Sequence, residues 1–142
     1  VGGDEVTFLL DTNVWLFAAN APDVLPQEIR TLLDRDEAQF GLSAISLWEV
    51  GKKHQIGKLE LNQELGSWLK GALAAHIQVL PLTSEIVADA MSLPDFPNRD
   101  PADELIVATA RVHKLTLLTA DTKLKGYRHA RIRYFTPILS QA

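Results

Sequence analysis

Two hydrophobic rhythms alternate along this chain, and the residues at their junctions carry the candidate chemistry. Short apolar runs bounded by polar residues predict strands over 7–10, 40–42, 77–80 and 115–120, with a last one around 131–135. Between them the apolar residues recur at helical spacing. One such stretch covers 14–19, and a second follows Pro26, with Ile29, Leu32 and Leu33 as its stripe. Ser43 is placed to cap a helix over 44–55, which Gly57 stops. Asn62 is placed to cap the next, which carries Leu65, Trp68, Leu69 and Leu73. Thr83 or Ser84 opens a helix to about residue 93. Asp100-Pro101 opens the last long one, an acid at the cap and proline at the first helical position, and it runs to His113. A short helix is expected over 122–125.

Strands alternating with helices predict an α/β fold with a mainly parallel sheet. The carboxyl ends of such strands share one edge, where ligands bind at the switch in strand order. Two acids end predicted strands: Asp11 follows Val6–Leu10, and Asp121 follows 115–120. Two more lie in helical segments, Glu49 among Ile45, Leu47, Trp48 and Val50, and Asp103 on a stripe with Ile106, Val107 and Ala110. Each has a plainer reading. Asp11 and Asp121 suit Asx-turns or caps, Glu49 suits pairs with Lys52 or Lys53, and Asp103 suits the helix dipole. As a group they suit a cage for a hard divalent cation, because clustered carboxylates repel unless a cation joins them. Such a cage hydrolyses phosphodiesters.

Composition narrows the field. The 142 residues are 46% hydrophobic, enough for one domain with a sizeable core. That domain is expected over 4–136, with 1–3 read as a cloning remnant and 137–142 as a tail. No apolar run approaches the ~20 residues of a membrane span, and residues 1–5 lack the pattern of a signal peptide. The absence of cysteine excludes thiolate metal sites and fits a cytoplasmic protein. His54, His76, His113 and His129 are scattered, so the site is one of oxygen ligands, for Mg²⁺ with Mn²⁺ as a substitute. A net charge of −4 requires any nucleic acid to meet a local basic patch. The acid-free stretch Lys123, Lys125, Arg128, Arg131 and Arg133 is the first candidate for RNA, and Lys52, Lys53 and Lys58 the second. The same stretch also suits protection of an edge strand. Trp48 and Trp68 read as core. The apolar residues between Asn13 and Leu33, among them Trp15, Phe17, Leu25 and Ile29, exceed what one sheet face needs and suggest a docking surface.

Four motifs stand in a familiar order: Leu9-Leu-Asp-Thr-Asn13, Ser43-Ala-Ile-Ser-Leu-Trp-Glu-Val50, Asp100-Pro-Ala-Asp-Glu-Leu-Ile-Val-Ala-Thr-Ala110 and Leu117-Leu-Thr-Ala-Asp121. From residue 7 to about 135 the chain resembles the PIN-domain family, and within it the VapC-type ribonuclease toxins of bacterial type II toxin–antitoxin modules. The resemblance implies a PIN-like three-layer α/β/α sandwich and a Mg²⁺- or Mn²⁺-dependent endoribonuclease. It implies an antitoxin partner and a homodimer. The acidic quartet falls on Asp11, Glu49, Asp103 and Asp121, and Thr12, Asn13 and Thr119 match supporting positions. Glu104 departs from the basic residue that many relatives carry after the third acid. Asp100 is read as a cap rather than a ligand. Two rivals stand beside this reading. One is a haloacid-dehalogenase-type phosphatase with Asp11 as nucleophile, although Asn13 stands where that chemistry wants a second Asp. The other is a metal- or RNA-binding PIN-like module that does not cut.

Overall fold

The computed structural model describes residues 6–35, 39–73 and 76–139. Among these residues five strands form one parallel sheet: β1 (Val6–Leu10), β2 (Gln39–Ser43), β3 (Ile77–Leu80), β4 (Thr116–Thr119) and β5 (Arg131–Tyr134), in the order β3-β2-β1-β4-β5. The chain first steps outward from β1 to β2 to β3. It then crosses back to β4 on the far side of β1. The order therefore reverses between β1 and β4, which opens a crevice at their carboxyl ends.

Among the described residues six α-helices cover the sheet: α1 (Thr12–Asn20), α2 (Gln27–Leu33), α3 (Ala44–Gln55), α4 (Leu65–Ala72), α5 (Ser84–Ala90) and α6 (Pro101–His113). On one face Val14, Trp15, Leu25, Ile29, Val50 and Trp68 pack with Leu10, Leu42 and Leu118 of the strands. On the other, Ile106, Val107 and Ala110 of α6 pack on Leu9 and Leu117, with Ile86 and Ala90 of α5 behind them. Neighbouring strand residues thus point to opposite layers, and the three-layer sandwich follows. Strand β2 admits no bulk at Gly41, where a Cβ would meet Leu80 Cδ1 at 3.0 Å.

Two polar ties lock the helices. Trp15 and Trp68 meet edge to face at 5.2 Å, and their Nε1 atoms donate to Ala72 O and Asn20 Oδ1 respectively. Asp89 of α5 accepts two bonds from Arg111 of α6, from Nε at 2.8 Å and Nη2 at 3.2 Å. Among the described residues no helix is long and apolar enough to cross a membrane.

Ser43 caps α3, and Gly57 follows it at φ +81°, as the sequence predicts. Other expectations need correction. Asn62 does not cap α4; Glu64 does, accepting from Ser67 N. Helix α5 ends at Ala90 rather than 93, before the left-handed Asp95 and the prolines around it. Trp48 is not core but 60% exposed, because the inward face of α3 is taken by Ser46 and Val50. Of the apolar residues in 13–33, Trp15, Leu25 and Ile29 are fully buried in this chain's own core, while Phe17 is only half-buried.

Candidate active site

Asp11 is the hub of the site. Its amide still belongs to the sheet, donating to Leu118 O at 3.0 Å. Its φ of −64° and ψ of 154° turn the chain into α1, and its Oδ1 accepts from Thr12 N at 2.8 Å. The plainer reading, a cap, is therefore correct, and it occupies only part of the carboxylate. Oδ2 takes a 2.6 Å bond from Thr119 Oγ1, a fully buried hydroxyl at the end of β4. The same hydroxyl accepts from Asp121 N at 3.0 Å. One threonine thus ties the first and fourth acids across the topological switch.

Thr12 ties in the second acid. Its hydroxyl bonds Glu49 Oε1 and lies 2.8 Å from the buried Ser46 Oγ. Ser46 and Glu49 are one helical turn apart on α3, so both face α1. Among the described residues Glu49 has no partner in Lys52 or Lys53, and Lys52 instead donates to Gln55. Asp103 comes from the first turn of α6, half-buried. Asn98 Nδ2 holds its Oδ2 at 3.2 Å, and Asn98 Oδ1 accepts from Asp100 N. Asp100 is a cap, accepting from the amides of Ala102 and Asp103.

The electrostatics join the four. Burial pushes the Asp11 carboxyl above its usual range, the bonds from Thr119 and Thr12 pull it back, and Glu49 and Asp121 push it up again. Asp103 is pushed up to about 7, by burial first and then by Asp100, Asp11, Asp121 and Glu49. Each acid thus lies in the field of others across one mouth. Among the described residues no three of them close to ligand spacing by themselves, as expected of like charges that repel. The donors are all hard oxygens, with no thiolate or imidazole among them, and this set fits Mg²⁺ or Mn²⁺. The cavity of about 430 Å³ beneath α1 and α4, lined by Trp15, Phe40 and Trp68, has none of the four acids in its wall. The four acids lie at the open edge, not in the cavity.

Sequence reasoning missed two members. Ser46 could have been found from its spacing to Glu49. Asn98 lies in an irregular loop with no periodic signal. Asn13 is exposed, while Thr12 and Thr119 are buried at the heart of the site. The basic stretch is divided. Lys123 donates its amide to Asp121, and Lys125 lies 5.0 Å over the ring of Tyr134, which pairs with Thr119 at the carboxyl edge. Arg131 pairs with Thr116 at the opposite end of the strands and donates to Lys114 O. Arg128 lies between the two groups, lining one hollow with Arg131 and another with Lys123 and Lys125, and Arg133 lies exposed on the edge strand between the two ends.

The PIN domain profile matches residues 8–130. The chain is 32% identical over 125 residues to Ribonuclease VapC22 of Mycobacterium tuberculosis, covering 88% of this chain and 95% of that one. It superposes on a chain of DNA-bound VapBC from Salmonella typhimurium with a TM-score of 0.71 at 18% identity, over 92% and 98% of the two chains. It superposes on a chain of FitAcB from Neisseria gonorrhoeae with a TM-score of 0.61 at 25% identity, over 89% and 96%.

Proposed function

The chain belongs to the PIN-domain family, and from that premise we propose that it is a divalent-cation-dependent endoribonuclease and the toxin of a type II toxin–antitoxin pair. The observation that carries this reading is the hydroxyl bridge of Thr119, which sets Asp11 beside Asp121 while Thr12 holds Glu49 to the same mouth. A relative that is named a ribonuclease supports the activity. Structural neighbours that are VapBC assemblies support an antitoxin partner. The reading carries with it a cytoplasmic site of action and a homodimer.

Asp11 and Asp103 would chiefly hold Mg²⁺, or Mn²⁺ in its place, with Glu49 and Asp121 completing the oxygen set. When bound, the cation supplies Lewis-acid polarisation of the phosphodiester and acidifies a water. The rest falls to the chain. Thr119 and the Thr12 amide hold Asp11 toward the charged form against its burial. Asn98 fixes the rotamer of Asp103, whose proton is the one to leave near neutral pH. Thr12, itself set by Ser46, aims Glu49. Water is the nucleophile in this scheme, since Ser43 and Ser46 are fully buried and the chain has no cysteine. The phosphatase reading is set aside with the family assignment, and exposed Asn13 offers no second acid beside Asp11. A non-cutting module would not require all four acids to be in place.

The test is cleavage of total bacterial RNA by wild type and Asp103→Asn, in Mg²⁺, in Mn²⁺ and in excess EDTA. Discrete fragments that vanish in EDTA and in the variant are the expected result. Intact RNA in every lane, with both proteins folded and free of antitoxin, overturns the ribonuclease reading.

A further inference from the structure

Two hollows of about 450 Å³ each flank the end of α6 and the approach to β5. The first, next to the carboxylate mouth, is walled by Lys123, Lys125, Arg128, His129 and Asp95. The second, at the amino end of the sheet, is walled by Arg111, Lys114, Arg128, His129, Arg131 and Asp89. Arg128 and His129 line both, so the two adjoin at a shared wall and make a two-part groove. Six basic side chains border it against two carboxylates, in a chain whose net charge is −4. Both carboxylates already have partners: Asp89 is spent on Arg111, and Asp95 lies 3.6 Å from His129. Lys114, Lys123, Lys125, Arg128 and Arg131 are all exposed.

Protection of the β5 edge accounts for Arg131 and Arg133 only, since the other cations lie off the strand. A complement to the α6 dipole accounts for Arg111 and Lys114 at most. Neither explains a row that begins beside Asp121, where Lys123 donates its amide, and continues to Arg131, three residues or ~10 Å along β5 from the carboxyl edge.

We propose that this groove is a backbone track for single-stranded RNA, which leaves the carboxylate mouth past Lys123 and Lys125 and runs to a distal phosphate site at Arg128, Arg131 and Lys114. The groove is a track rather than a base reader. Its one tyrosine is engaged, with its hydroxyl on Pro94 O and its ring edge to face with Phe96 and His129. Arginine forks suit phosphate oxygens, and the absence of an exposed aromatic platform in the two walls argues for tolerance of sequence.

This inference rests on the ribonuclease reading, so the test separates the two. Binding of fluorescein-labelled RNA of about four and about sixteen nucleotides is measured by anisotropy across a salt series. The proteins are full-length Asp11→Asn, the same with Arg128→Ala and Arg131→Ala, and the same with Lys70→Ala, a control on α4. Loss of two phosphate contacts lowers the slope of log K against log salt by roughly 1.4, or about 25-fold in affinity at ~0.1 M salt. That loss is expected for the long RNA only, with the short RNA and the Lys70 control unchanged. Unchanged affinity and slope for the long RNA overturn the track, while cleavage by the wild-type chain would leave the nuclease reading standing. An equal loss for both lengths overturns the distal placement. If no RNA binds to any variant and wild type cuts none, both readings fall.

Discussion

Asp103→Asn should make the folded chain more stable at alkaline pH while disabling it. In the fold the Asp103 carboxyl is pushed up to about 7 from an ordinary 3.8, first by burial and then by Asp100, Asp11, Asp121 and Glu49. Between those values the unfolded chain has released its proton while the folded chain retains it. Raising the pH therefore favours unfolding, starting near 3.8 and ending above about 7. Every tenfold change in proton affinity is worth ~1.4 kcal/mol, so a rise of this size sets a ceiling of roughly 4 kcal/mol. Asp103 is half-buried, and solvent screening reduces this to about 1–2 kcal/mol. Asparagine never ionises, and its Oδ1 can still accept from Asn98. Urea denaturation in EDTA should therefore show the variant more stable than wild type at pH 8 and equal to it near pH 4. Added Mg²⁺ at pH 8 should raise wild type and not the variant, because binding to the folded state alone stabilises it. A difference that is the same at both pH values, or a variant less stable at pH 8, would refute the argument that repulsion and burial at this mouth are relieved by removing the charge.

Three further outcomes follow from the same geometry. Thr119→Val keeps the shape but removes the donor to Asp11 and the acceptor for Asp121 N. It should cost about 2–3 kcal/mol, the worth of a bond to a charged group with its orphaned partner, by urea midpoint, and Thr119→Ser should recover most of it. Trp68→Ala should cost about 3–5 kcal/mol, whereas Trp48→Ala, at a position 60% exposed, should stay within ~0.5 kcal/mol. Equal costs would contradict the assignment of α3's faces. Glu104→Lys places a cation in the first turn of α6, so thermal unfolding should show a loss of about 0.3–1 kcal/mol, while RNA binding tightens with a steeper salt slope. Weaker binding would mean that Glu104 does not face the substrate path.

Four strands were legible because each holds a short apolar run with a polar stop, and Asp11 and Asp121 follow two of them, whereas β5 alternates arginine with Ile132 and Tyr134. Helices α3 and α6 were legible through Ser43 and Asp100, whose side chains cap them as read. The cap of α4 was not. Asn62 and Glu64 stand two residues apart, and only the path of the loop decides which side chain reaches Ser67 N. Trp48 and Trp68 look alike in sequence, and burial separates them because α3 is covered on one side while Trp68 meets Trp15. Asp103 announced itself as an acid on an apolar stripe, but its holder Asn98 comes from a loop whose fold depends on Asp100. The basic stretch read as one patch because it is continuous in sequence. A strand that runs the length of the sheet puts its two ends at opposite edges, and the two hollows there adjoin only at Arg128 and His129.

At the heart of the proposed function, four carboxylates at one sheet edge act together on a phosphodiester. The most direct test is the single-turnover rate of RNA cleavage as a function of Mg²⁺ concentration for Asp11→Asn, Glu49→Gln, Asp103→Asn and Asp121→Asn beside wild type. Every variant, folded by circular dichroism, is expected to lose at least ~100-fold in rate or to need far more Mg²⁺ to reach its plateau, as for groups that hold a catalytic cation. A variant that cuts at the wild-type rate with the wild-type Mg²⁺ dependence would remove that acid from the site, and two such variants would overturn the four-carboxylate mechanism.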